Sequence, residues 1–72
     1  MMTKREIAAK FKQMRQSVGL TQQEVADRLE KKQQTVGHWE TGYAQPDIDT
    51  LLELFTLYHK SFDEEFLYVK KE

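Results

Sequence analysis

The stretch QQTVGHWETG, residues 33–42, decides how this chain is read. Val36 and Trp39 recur at helical spacing, and they are the only large apolar residues the stretch offers to a core. With both facing inward, a step of about 100° per residue turns Gln33, Gln34, Gly37, His38 and Thr41 outward. That face carries two amides, a glycine, an imidazole and a hydroxyl, with almost no charge. Solvent-facing helices ordinarily carry Lys and Glu, which favour both helix and solubility. Gly37 costs about 1 kcal/mol relative to alanine in a helix interior. Close approach of the backbone to a partner would offset that cost. The plain alternative is a poor surface helix.

Outward from this stretch the chain reads as all-α, with five helices and no strand. Ile7, Phe11, Met14 and Val18 recur at spacings of four, three and four, predicting an amphipathic helix from about Thr3 to Val18. Gly19 is its stop signal. Thr21 with Glu24 three residues later forms a capping box, and Leu20 with Val25 takes the positions of a hydrophobic staple. A helix from Gln22 to Leu29 follows, with Val25, Ala26 and Leu29 inward. The residues EKK, 30–32, join it to a third helix from Gln33 to Glu40, which ends at Gly42. The loop TGYAQPD holds the single proline, Pro46. Asp47 can cap a fourth helix, whose buried face is expected from Ile48, Leu51, Leu52, Phe55 and Tyr58. His59 and Lys60 break it. Ser61 and Glu64 form a further capping box for a last short helix, with Phe62, Phe66 and Leu67 inward. A short tail spans 68–72.

Size and composition narrow the function classes. Seventy-two residues make one domain, 1–72, with room for one small core. Apolar residues at 39% and charged residues at 32% give a globular balance rather than a disordered one. Without cysteine there is no disulfide and no thiolate metal site. His38 and His59 lie far apart and form no ligand pair, so neither metal nor cofactor is expected. His38 has no nucleophile or orienting acid at a matching spacing, which argues against an enzyme. No apolar run approaches about 18 residues, and MMTKREIAAKFK lacks the apolar core of a secretory signal. A cytoplasmic protein is the expectation.

The net charge is −1, but it is unevenly spread. In residues 1–20, Lys4, Arg5, Lys10, Lys12 and Arg15 stand against Glu6 alone. In residues 47–72 acidic groups outnumber basic ones. Taken alone, this favours a solvated charge pattern over a face for a polyanion. The outward groups of residues 33–41 favour the polyanion. Glutamine amides donate and accept together, which suits adenine N6 and N7 in a major groove, and His38 can donate to guanine N7 or O6, or to a phosphate.

The residues GLTQQEVADRL, QQTVGHWETG, Pro46 and TLLEL together resemble the Cro/CI-type helix-turn-helix family, the lambda-repressor-like DNA-binding domains, over roughly residues 5–67. The resemblance implies a five-helix domain with its helix-turn-helix at about 21–40. It implies a third helix inserted in the major groove, and a homodimer on a palindromic double-stranded DNA operator. Gln22 would bond a phosphate at the positive end of its helix. Lys32, Gln33, Gln34, Thr35 and His38 match operator-contacting positions, with base reading expected of Gln33, Gln34, Thr35 and His38. Lys31 and Lys32 would lie beside phosphates. Arg15 and Glu40 match a structural pair tying the first helix to the third. Tyr43 could bond a phosphate or cover the edge of the core.

The chain also departs from the family. Glu30 stands where glycine is usual, Lys31 where an apolar residue is, and Lys32 where Ser or Thr caps the third helix. A distorted turn or a longer second helix is therefore expected. His59 replaces a common glycine and Phe55 a common alanine, which suggests aromatics turned toward a partner chain. His38 replaces an arginine, so guanine reading should be weak. The reading is a transcriptional regulator, with repression by occupancy favoured. The alternatives are an antitoxin that grips a toxin with its acidic back and FLYV strip, and a protein-interaction module without DNA binding.

Overall fold

The computed structural model describes residues 2–61 together with 65 and 66. Four helices run through the described residues, with no strand among them: α1 Lys4–Ser17, α2 Gln22–Leu29, α3 Gln33–Thr41 and α4 Ile48–Leu57. Both early helices start on reciprocal caps. Thr3 Oγ1 accepts the Glu6 N–H at 3.1 Å while Glu6 Oε1 accepts the Thr3 N–H at 2.8 Å. Thr21 and Glu24 repeat the arrangement at 3.0 and 2.8 Å. The Thr3 box has the same spacing as the Thr21 box expected from the sequence. Hydrogen bonding to Thr3 holds the Glu6 carboxyl below its ordinary value.

The turn after α2 corrects an expectation. The EKK sequence neither distorts the turn nor lengthens the helix. Glu30 takes the left-handed conformation itself, at φ 57°, ψ 45°. The Lys31 N–H then reaches the Ala26 carbonyl at 2.8 Å, closing the helix end as a glycine would. His59 does the same after α4 at φ 58°, with the Lys60 N–H on the Phe55 carbonyl at 3.0 Å. A left-handed residue with a side chain costs roughly 1–2 kcal/mol. The chain therefore keeps the backbone path and accepts local strain.

The core draws on every helix. Phe11 and Met14 come from α1, Val25 and Ala26 from α2, Val36 and Trp39 from α3, and Leu54 and Phe55 from α4, with Tyr58 at its C-cap. Helix α3 packs against both α1 and α2. Burial pushes the Tyr58 phenol well above its ordinary value.

The inward face of α4 differs from the one expected. Leu51, Leu54, Phe55 and Tyr58 turn toward the core, whereas Ile48 is 65% exposed and Leu52 is 59% exposed. The segment IDTLLELF holds more apolar residues than one helical face can bury. Leu54, absent from the expected face, marks the centre of the stripe. Phe55 points into the core rather than toward a partner, with the Phe66 ring set edge-on 6.0 Å away.

The expected fifth helix falls largely outside the described residues, as do its Ser61–Glu64 capping box, Phe62, Leu67 and the 68–72 tail. Where that region is described, the Glu65 N–H meets the Ser61 carbonyl at 3.2 Å and Glu65 pairs with Lys10 at 3.0 Å. Among the described residues no helix is long and apolar enough to cross a membrane. None of them forms a group of side chains suited to a metal ion.

Candidate nucleic-acid interface

Helix α3 is held from beneath by three buried side chains, Val36, Trp39 and Glu40. Glu40 faces Arg15 of α1 in a two-pronged pair, Nε to Oε2 at 2.7 Å and Nη2 to Oε1 at 2.9 Å. The third guanidinium nitrogen, Nη1, donates to the Leu20 carbonyl at 2.8 Å and so anchors the chain just ahead of α2. The hydrogen bonds to Glu40 raise the Arg15 pKa above its ordinary value. Burying both charges gains little against an apolar pair, but removing one partner strands the other. The structural role expected of Arg15 and Glu40 fits this geometry.

Above these anchors lie the groups singled out in the sequence. Lys31, Lys32, Gln33 and Gln34 are exposed, and Thr35 and His38 are half-buried. Gln22, at the start of α2, reaches across to α3. Its Nε2 donates to Glu40 Oε1 at 3.0 Å, and its Oε1 accepts from Gln33 Nε2. Four side chains from three helices thus form one line: Arg15, Glu40, Gln22, Gln33. Sequence reasoning named every member but saw only the first pair, because the remaining bonds depend on how α2 and α3 cross.

Gly37 is half-buried on this face, like Thr35 and His38. A Cβ built there would meet Gln22 Oε1 at 3.6 Å, an ordinary contact. The nearest side chain at Gly37 is this chain's own Gln22. The step of about 100° places residue 37 on the outer face, and the crossing with α2 half-covers it.

Two further features shape the ends of α3. Its N-cap, Lys32, makes no side-chain cap bond, in keeping with the missing Ser or Thr. At the other end Gly42 has φ 85°, and a Cβ there would sit 3.5 Å from the Lys4 carbonyl oxygen. Glycine suits the left-handed conformation that closes the helix here. Tyr43 follows, 79% exposed, with its ring 4.5 Å from that of His38. It therefore does not cover the core edge. Its phenol and the His38 imidazole form one surface at the end of α3.

The basic front of the chain is partly spent internally. Arg15 is buried on Glu40, and Lys10 pairs with Glu65. Lys4, Arg5 and Lys12 remain exposed on α1, as do Lys31 and Lys32 in the turn.

A family profile described as helix-turn-helix matches residues 11–64. The HTH-type transcriptional regulator ImmR of Bacillus subtilis (strain 168) is 39% identical to the chain over 57 residues, which cover 79% of it. The chain spans only 45% of that relative's length. Two short helices joined by a left-handed turn, the second anchored on the first and on α1, occupy the centre of the matched region. The chain belongs to the Cro/CI-type helix-turn-helix family.

Proposed function

We propose that this chain binds double-stranded DNA at specific sites and regulates transcription, acting as a repressor by occupying its operator. One observation carries the reading: Val36 and Trp39 are buried beneath an exposed pair of glutamines. Gln33, Gln34, Thr35 and His38 then read base edges from the major groove, where amides match adenine. Gln22, Lys31, Lys32 and Tyr43 grip phosphates, which position the helix without reading sequence. The name of the Bacillus relative supports the regulatory role. The site of action is the cytoplasm, with no chemistry on the DNA.

Homodimerisation belongs to the same reading. Exposed Leu52 shares a shallow groove with Arg28 and Glu53. A second copy related by a two-fold axis can set arginine against glutamate around this apolar centre. Two copies would then place their third helices in successive major grooves, about 34 Å apart, on a palindromic site.

Selection of bound duplexes from a random pool tests this. A two-fold symmetric consensus is expected, with a shallow salt dependence because few cations face the duplex. Binding to all sequences alike, or to none, would refute it.

A further inference from the structure

We infer that Glu40, buried beneath α3, fixes the donor–acceptor polarity of Gln33 on the outer surface. The inference rests on the reading of Gln33 as a base-contacting residue.

A glutamine amide has two ends of nearly equal size and opposite chemistry. On a free surface it turns over at little cost, and a donor becomes an acceptor. Adenine offers its N6 donor and N7 acceptor in one order only, so a reading amide is selective when it is held in one orientation. An exposed side chain such as Gln33 has no such hold of its own.

The line of side chains behind it supplies one. Glu40 is ionised opposite the Arg15 guanidinium, with both of its oxygens accepting from Arg15. A carboxylate in this state can only accept. The Gln22 atom that meets Glu40 Oε1 at 3.0 Å must therefore be the amide nitrogen. The Gln22 carbonyl oxygen then faces the other way, toward Gln33, and requires a donor. Gln33 meets it with Nε2. One N–H of Gln33 is committed inward, which leaves its carbonyl oxygen and its second N–H for the duplex in a set order. The orientation follows from the chemistry of the carboxylate and passes through two amides. Gly37 lies beside the middle amide, whose oxygen would stand at ordinary contact distance, 3.6 Å, from a Cβ at that position. Glu40 is thus a positioning residue for specificity, in addition to tying α1 to α3.

Two variants interrupt the line at different points. Gln22→Met removes the middle amide and leaves the Arg15–Glu40 pair in place. Glu40→Gln makes the first acceptor ambiguous. Each is put through selection from random duplexes, and Gln33→Ala marks the base pair that Gln33 reads. Preference at that base pair should fall about fivefold or more in both variants, while preference at the other positions persists. Losing the phosphate contact of Gln22 weakens binding on all sequences alike, so the inference is read from the relative preference: weakening with the preference at that base pair unchanged would overturn it. Should Glu40→Gln fail to fold, the wild type carries that arm: a coupling across the hydrogen bond from the Gln22 side-chain nitrogen to the Glu40 carboxylate carbon is expected, and its absence would overturn the inference.

A measurement without DNA separates this inference from the reading beneath it. In nitrogen-15 spectra the Gln33 side-chain amide should exchange slowly with water in the wild type and like free glutamine in Gln22→Met. Free-glutamine behaviour in the wild type would overturn the inference even if a consensus is selected. A protected amide in a chain that selects no sequence would overturn the base-reading role, and the specificity claim with it.

Discussion

Helices α2 and α3 are neighbours of eight and nine residues, and they are secured in opposite ways. Helix α2 has a reciprocal box at its start, a closed left-handed end, and fully buried Val25 and Ala26 on its inner side. Helix α3 has no side-chain cap at its start and a glycine in its interior. Its stability comes from below, through Val36, Trp39 and the Glu40–Arg15 pair. Caps and strong helix formers stabilise a helix locally, but they occupy the surface that a partner would use. Where the outer face is kept for reading, tertiary anchors replace local ones.

The sharpest way to break this contrast is to remove the deepest anchor. Glu40→Ala leaves the Arg15 guanidinium buried without its partner and should cost roughly 3–5 kcal/mol. Urea denaturation measures this directly. A loss below about 1 kcal/mol, the scale of an exposed pair, would mean that α3 is held by apolar packing alone.

The caps give a smaller and two-sided comparison. Thr21→Ala should destabilise by about 1 kcal/mol, because α2 depends on its box. Lys32→Ser should act in the opposite direction, stabilising by up to about 1 kcal/mol by giving α3 the cap it lacks. The same substitution should weaken DNA binding on all sequences alike and make the salt slope shallower by about one unit. Thermal melts and salt-dependent gel shifts together check the pair. A stabilised Lys32→Ser variant with unchanged affinity would remove Lys32 from the phosphate contacts.

Acid should produce the gentlest effect. Hydrogen bonds to Thr3 and Thr50 hold the carboxyls of Glu6 and Asp47 below their ordinary values. Groups depressed in the folded state stabilise it above their unfolded pKa, and that contribution disappears as pH falls through the folded value. The melting temperature should therefore stay level from neutral pH to the ordinary carboxylate range and decline below it. Thr3→Ala should flatten part of that decline. A melting temperature that rises on acidification would contradict the assigned caps.

Much of this arrangement was legible in the sequence where one residue type had one plausible use. Thr21 with Glu24 could hardly be anything but a cap, and the single tryptophan with Val36 fixed the inner side of α3. The reading failed where choices were degenerate or where geometry between elements decided. In α4, several apolar residues competed for one face, and Ile48 and Leu52 were left outside. At Glu30 the family pattern suggested distortion, yet the left-handed strain is small enough for the turn to persist. Gln22 was assigned to phosphate, and the sequence did not show that its amide also meets Glu40 and Gln33. Nothing local to residue 22 distinguishes those uses. Only the crossing of α2 over α3 brings the three residues together.

The most direct test of the reading face is a nitrogen-15 titration of the chain with a duplex selected from the random pool. The account predicts the largest shifts at Gln22, across residues 31–38 and at Tyr43, with an unrelated duplex affecting the lysines but sparing Gln33 and Gln34. Shifts centred on Ile48 and Leu52, with the α3 glutamines unmoved by any duplex, would contradict it.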